Sequence, residues 1–142
     1  MSRFSWPARV YWEDTDGGGV VYYANYLRFL ERARTEWLRA LGFSQTELAK
    51  EPGILFVVAN LSIDYRRPAR LDDALIITCD AEREGAASIR FTQTIRRGDE
   101  VLVEANVLVA CLDARTFRPT RLPRAIVEAV RNPAAREGAP LT

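Results

Sequence analysis

A single long amphipathic stripe sets the narrowest limit on what this chain can fold into. Across residues 25–41, Tyr26, Phe29, Leu30, Ala33, Trp37, Leu38 and Leu41 recur at helical spacing, while Glu31, Arg32, Arg34, Glu36 and Arg39 fill much of the other face. Asn25 is placed to cap the first free amides, and Gly42 to close the helix with a left-handed residue. The "SQTE" of residues 44–47 has the capping-box form and predicts a short second helix to about Lys50, ended by "EPG". The charged "ERARTE" run, residues 31–36, reads as an exposed helical face supported by pairs one turn apart, not as a site.

Most of the remaining chain is strand-like. Residues 8–12, "ARVYW", read as a first strand, and residues 14–19 as a loop. Residues 54–65 form a long branched run, broken by "RRPAR" with its Pro68; residues 75–82 form the next. Residues 88–97 alternate: Ile89, Phe91 and Ile95 face one way with Gln93 as the polar exception, and Arg90, Thr92, Thr94 and Arg96 face the other. "RGDE" is a hairpin turn on Gly98, after which Val101, Val103, Ala105, Val107 and Val109 share a face. Residues 123–130 predict a short terminal helix, and the tail of residues 132–142 reads as loose. Consecutive hairpins favour an antiparallel sheet, and one helix must bury its stripe on one face of it. The expected fold class is α+β, a curved antiparallel sheet wrapped around one long helix, in a single domain over residues 1–131.

Composition excludes several chemistries. With 20 basic against 19 acidic residues, the net charge of +1 argues against a nucleic-acid binder that works by neutralising phosphates. The chain of 142 residues contains no histidine, so Ser-His-Asp and Cys-His mechanisms and His-ligated zinc are ruled out within it. Acid–base work must fall to carboxylates, Lys, Tyr, backbone amides or water. Cys79 and Cys111 sit apart in apolar runs and read as free buried thiols with no metal spacing. The start "MSRFSWPARV" lacks a signal-peptide core and the longest apolar runs are too short for a transmembrane segment, so a cytoplasmic location is expected.

The chemistry concentrates in "VYWEDTDGGGVVYYANYLRF", residues 10–29. This segment, the order of elements, "DYRRPARLDD" at residues 64–73 and the late strand "VLVACLD" resemble the hotdog-fold 4-hydroxybenzoyl-CoA thioesterase family. Within it they resemble the branch of acyl-CoA thioesterases associated with the bacterial Tol-Pal system. The resemblance implies oligomers, homodimer or homotetramer, with two helices back to back on a continuous sheet and active sites at the dimer interface. It implies hydrolysis of acyl-CoA thioesters with no metal and no cofactor. The catalytic carboxylate of the family motif matches Asp16, and the amide that polarises the thioester carbonyl matches the backbone of Tyr23. Some relatives carry His where Tyr23 stands; the amide is unaffected, but a side-chain proton relay does not carry over. The basic residues that grip the CoA nucleotide do not carry over to "EREGAAS", residues 82–88.

The residues support that chemistry on their own terms. A carboxylate can act as nucleophile or general base, and a helix N-terminus offers free amides and a positive dipole end to an oxyanion. Here Asp16 precedes the predicted helix start by a few residues, joined through glycines that permit close backbone approach. Plainer readings stand beside this one. Asp16 can be a turn residue, Asp14 reads as holding the loop, and Gly17, Gly18 and Gly19 lack the phosphate-binding spacing. Tyr22, Tyr26 and Gly19 are candidate substrate-binding residues, although Tyr22, Tyr23 and Tyr26 equally suit core or interface packing. Arg66 and Arg67 read as a solvated strand end before they read as phosphate ligands.

The expected function is hydrolysis of small to medium acyl-CoAs. The alternative is a non-catalytic module that binds acyl-CoA or acyl-carrier protein, or that scaffolds a cell-envelope complex. A hotdog dehydratase ranks low, since its usual form uses a histidine. Oligomerisation is expected because edge pairing would cover an exposed strand edge.

Overall fold

The protein, as a computed structural model, is described over residues 4–132. The expected tail, apart from Asn132, lies outside the described residues. Strands β1 (Phe4–Arg9), β2 (Ile54–Tyr65), β3 (Ala74–Arg83), β4 (Ser88–Arg97) and β5 (Glu100–Asp113) form one antiparallel sheet in the order β1-β3-β4-β5-β2. The helices are α1 (Tyr26–Ala40), α2 (Gln45–Lys50) and α3 (Arg124–Arg131).

Helix α1 buries Tyr26, Phe29, Leu30, Ala33, Trp37 and Leu38 against the sheet, each large side chain contributing about 1.5–3 kcal/mol through area removed from water. Gly42 ends it at φ +98, with the Phe43 amide donating back to the Leu38 carbonyl at 3.2 Å. Ser44 caps α2 by accepting the Glu47 amide at 3.2 Å. On β4, Ile89, Phe91, Gln93 and Ile95 are buried while Thr92 is exposed, matching the alternation in the sequence. Gln93 is fully buried because it ties helix to sheet. Its Nε2 donates to the Leu30 carbonyl at 3.1 Å, and its Oε1 accepts from Arg34 Nη1 at 3.0 Å.

Three expectations are corrected. The first strand covers Phe4–Arg9 rather than residues 8–12, because the Asp14 carboxylate accepts the Tyr11 amide at 2.8 Å and closes a 3₁₀ turn at Trp12–Asp14. That local bond outweighs the extended preference of Tyr11 and Trp12, which end up exposed. Pro7 is tolerated in β1 because β1 is an edge strand paired with β3 alone. On β5, Ile95 pairs with Val103 but Arg96 with Val101, so Leu102 is a bulge residue. The bulge buries Leu102 and turns Val101 to the Arg96 face, off the face it was expected to share with Val103. On α1, Arg34 is half-buried rather than part of an exposed charged face, drawn in by Gln93.

The second sheet edge is β2, twelve residues long, with Val57, Val58, Leu61 and Tyr65 exposed.

Candidate active site

The residues entering α1 fold back on themselves. Thr15 pairs with Val21, the Asp16 amide donates to the Val20 carbonyl at 3.0 Å, and the Tyr22 amide donates to the Asp14 carbonyl at 3.1 Å. The result is a tight hairpin with Gly17, Gly18 and Gly19 at its tip. Gly17 at φ +90 and Gly19 at φ +87 occupy backbone conformations that L side chains rarely adopt.

The two carboxylates have different environments. Asp14 is 9% exposed, and besides its carboxylate bond to Tyr11 its carbonyl accepts Asn25 Nδ2 at 2.8 Å. It holds the loop, as read from the sequence. Asp16 is exposed at the hairpin tip, and its Oδ1 accepts the Gly18 amide at 2.7 Å. That bond fixes the carboxylate while leaving it in reach of solvent and of a bound molecule.

Asn25 does not cap α1. A 3₁₀ turn over Tyr23–Asn25 precedes the helix, Asn25 is itself helical, and its side chain is spent on Asp14. The free N-terminus therefore moves back to Tyr23, behind an extended Tyr22. Among the described residues no side chain caps this turn, and the Tyr23 amide donates to none of the surrounding carbonyls. An unpaired amide at a helical N-terminus and a fixed carboxylate thus belong to one short, hydrogen-bonded segment.

The tyrosines divide. Tyr22 and Tyr23 are exposed, with ring centroids 4.9 Å apart. Tyr26 is buried, and its hydroxyl accepts the Ala69 amide at 2.9 Å. Tyr65, absent from the sequence reading of the site, donates from its hydroxyl to the Tyr23 carbonyl at 3.1 Å and rests its ring on Tyr26.

Residues 66–73 form the floor of the hairpin. The Val21 amide donates to the Ala69 carbonyl at 2.9 Å, Val20 bridges Arg70, and the Leu71 amide donates to the Gly19 carbonyl at 3.2 Å. Asp73 locks this segment: its Oδ2 accepts the Arg70 amide at 2.8 Å and Arg97 Nη1 at 2.7 Å. Burial alone would raise the Asp73 carboxyl, but the Arg70 amide and Arg97 guanidinium outweigh it and hold it below its ordinary value. Arg66 and Arg67 pair with Glu104 and Glu100 and stay exposed. The "DYRRPARLDD" pattern was visible in the sequence, but nothing in its spacing placed it beneath the "DTDGGG" loop.

Among the described residues no group of three or more Cys, Asp or Glu is placed to hold a metal ion, and no helix is long and apolar enough to cross a membrane.

A five-stranded antiparallel sheet packed on one long helix defines a hotdog-fold protein of the thioesterase type, and the chain belongs to the Thioesterase superfamily, which matches residues 18–108. It is similar to the acyl-CoA thioesterase YbgC of Haemophilus influenzae, 47% identical over 123 residues that cover 87% of this chain and 90% of the relative. It is also similar to the acyl-CoA thioester hydrolase YbgC of Escherichia coli O157:H7, 49% identical with 87% and 92% covered. Among solved structures, a probable thioesterase from Bartonella henselae superposes with a TM-score of 0.82 at 41% identity, covering 86% of this chain and all of that one.

Proposed function

We propose that the protein hydrolyses the thioester bond of small to medium acyl-CoAs. The observation that carries this reading is a hydrogen-bonded, exposed Asp16 carboxylate at the tip of a hairpin that leads directly into the uncapped Tyr23 amide. Membership of the Thioesterase superfamily and the similarity to acyl-CoA thioesterases support it.

In the reaction, the Tyr23 amide donates to the thioester oxygen as negative charge develops there. Asp16 either attacks the carbonyl carbon, expelling CoA thiolate and leaving an anhydride that water opens, or takes a proton from a water that attacks directly. Both routes consume one water and release a carboxylic acid and a thiol. Tyr22 and the backbone at Gly19 border the bound acyl group. Tyr26 holds the floor through Ala69, and Tyr65 steadies the Tyr23 carbonyl.

The working unit is a homodimer or a homotetramer built from it. Strand β2 is an open edge carrying exposed Val57, Val58, Leu61 and Tyr65, and pairing with a second copy would cover it.

Thiol release measured on short, long and aromatic acyl-CoAs tests the function. Turnover of at least one class is expected. Tight binding of CoA esters with no thiol release on any of them would replace the hydrolase with a binding module.

A further inference from the structure

Strand β2 ends on a residue that reaches back to the turn opening α1. Tyr65 pairs with Val103 of β5, and the two amides that follow it, those of Arg66 and Arg67, both donate to the Leu102 carbonyl, at 2.8 and 3.1 Å. Leu102 is the buried bulge residue of β5. Bulges bend a strand and re-aim the side chains beside it, and this one fixes the end of β2 at Tyr65. The Tyr65 ring stands edge-on to Tyr23, centroids 6.3 Å apart, and lies 5.5 Å from the Tyr26 ring. Its hydroxyl donates to the Tyr23 carbonyl at 3.1 Å. All of these contacts lie within one chain, so they stand whether or not a second copy covers the outer side of β2.

The hydroxyl is aimed at one particular peptide. Tyr65 is 45% exposed, so water is available to its hydroxyl, yet the bond goes to the carbonyl between Tyr23 and Ala24. The N–H of that same peptide is the Ala24 amide. Like the Tyr23 amide, it donates to none of the surrounding carbonyls; the first amide of the turn to find an acceptor is that of Asn25, on the Tyr22 carbonyl at 2.8 Å. A hydrogen bond accepted at a peptide oxygen draws charge toward that oxygen and leaves the N–H across the peptide a stronger donor. The turn runs straight on into α1, so both free amides stand at the positive end of that helix. Burial, with Tyr23 and Tyr26 adding to it, raises the Tyr65 phenol above its ordinary value, so it keeps its proton and stays a donor at neutral pH.

We propose that Tyr65 is a positioning residue for the hydrolysis: its hydroxyl polarises the peptide between Tyr23 and Ala24 and makes the Ala24 amide a second donor, beside that of Tyr23, to the thioester oxygen. Tyr65 itself touches no reacting atom. It acts through the peptide it holds, from a strand end that the bulge at Leu102 has set in place.

This inference rests on the thioesterase reading, and the test separates the two. Wild type is compared with Tyr65→Phe, which keeps the ring and its contacts, and with a chain carrying meta-fluorotyrosine at position 65, a stronger donor used at a pH where it stays protonated. The readouts are kcat and KM on the best acyl-CoA substrate, and thermal melting. Each chain is also prepared with Asp16→Asn, and the carbonyl stretch of a bound acyl-CoA, isotope-labelled at the thioester carbonyl, is read by difference infrared spectroscopy. Tyr65→Phe should lower kcat about three- to tenfold, the worth of one neutral hydrogen bond, with KM within about twofold and melting close to wild type. The stretch should move part of the way back toward that of the free ester in Tyr65→Phe, and further from it with the fluorotyrosine. A role confined to packing moves the stretch in neither direction. If Tyr65→Phe does not fold, the fluorotyrosine chain decides. The proposal is overturned if Tyr65→Phe turns over like wild type, or if the stretch is indifferent to the hydroxyl while kcat falls. Absence of thiol release by the wild-type chain defeats the hydrolase reading instead, and the stretch on the bound ester, which needs no turnover, still decides the role of Tyr65.

Discussion

The Asp16 carboxylate and the Gly18 amide are joined by a 2.7 Å hydrogen bond, and a Cβ on Gly18 would stand 3.1 Å from the same oxygen. The bond and the lack of a side chain are two halves of one arrangement. The amide fixes where the carboxylate points, and glycine leaves it room.

Gly18→Ala should therefore damage activity without unfolding the protein. Its backbone is not in the left-handed region, so the change acts by pushing the Asp16 oxygen aside. A displacement of about 1 Å can cost up to about 10²-fold in rate, and a loss of that order or somewhat less is expected in kcat with the melting temperature nearly unchanged. Gly17→Ala and Gly19→Ala, at φ +90 and +87, should instead lower stability by about 1–2 kcal/mol. Equal activity in Gly18→Ala and wild type would separate the carboxylate position from catalysis.

Tyr26→Phe tests the floor. It keeps the buried ring but leaves the Ala69 amide without its acceptor, at a cost of about 1–3 kcal/mol in urea denaturation. Because Ala69 also accepts the Val21 amide, the loss should loosen the hairpin and raise KM as well. A variant as stable as wild type would mean that the hydroxyl's bond contributes nothing net.

Gln93→Leu removes both bonds between β4 and α1. It should destabilise the fold by about 1–3 kcal/mol, because Arg34 is left half-buried with no acceptor. The double variant Gln93→Leu, Arg34→Met should recover part of the loss, since the orphaned charge goes too; no recovery would place the cost in packing alone.

Asp73 links stability to acid. Its folded-state pKa lies below the ordinary carboxylate value, so it contributes stability that is fully present above the unfolded pKa and lost as pH falls through the folded one. The stability gap between wild type and Asp73→Asn should be largest near neutrality and close below about pH 4. A gap that is flat with pH would contradict the ion-pair assignment.

Much of this architecture was legible because local and long-range preferences agreed. The α1 stripe, the Gly42 stop, the Ser44 cap and the β4 alternation all follow periodicities that the fold keeps. The failures share a cause in bonds between residues whose meeting the spacing does not announce. Asp14 takes the Tyr11 amide and ends β1 early; Asn25 is drawn from its cap to the Asp14 carbonyl; Gln93 pulls Arg34 out of solvent; the Leu102 bulge rotates Val101. Of the candidate site, the Asp16 loop and the helix start could be read from one segment. Tyr65 and the Ala69–Asp73 support could not, because they reach the hairpin from the end of β2 and the connection after it, more than forty residues further along the chain.

The most direct test of the account is kcat for Asp16→Asn on the best acyl-CoA substrate, beside a denaturation curve of the same protein. Asn keeps an oxygen for the Gly18 amide but cannot serve as nucleophile or base, so a fall of at least about 10²-fold in kcat with unchanged stability is predicted. Wild-type turnover in a folded Asp16→Asn protein would contradict the assignment and leave Asp16 a turn residue.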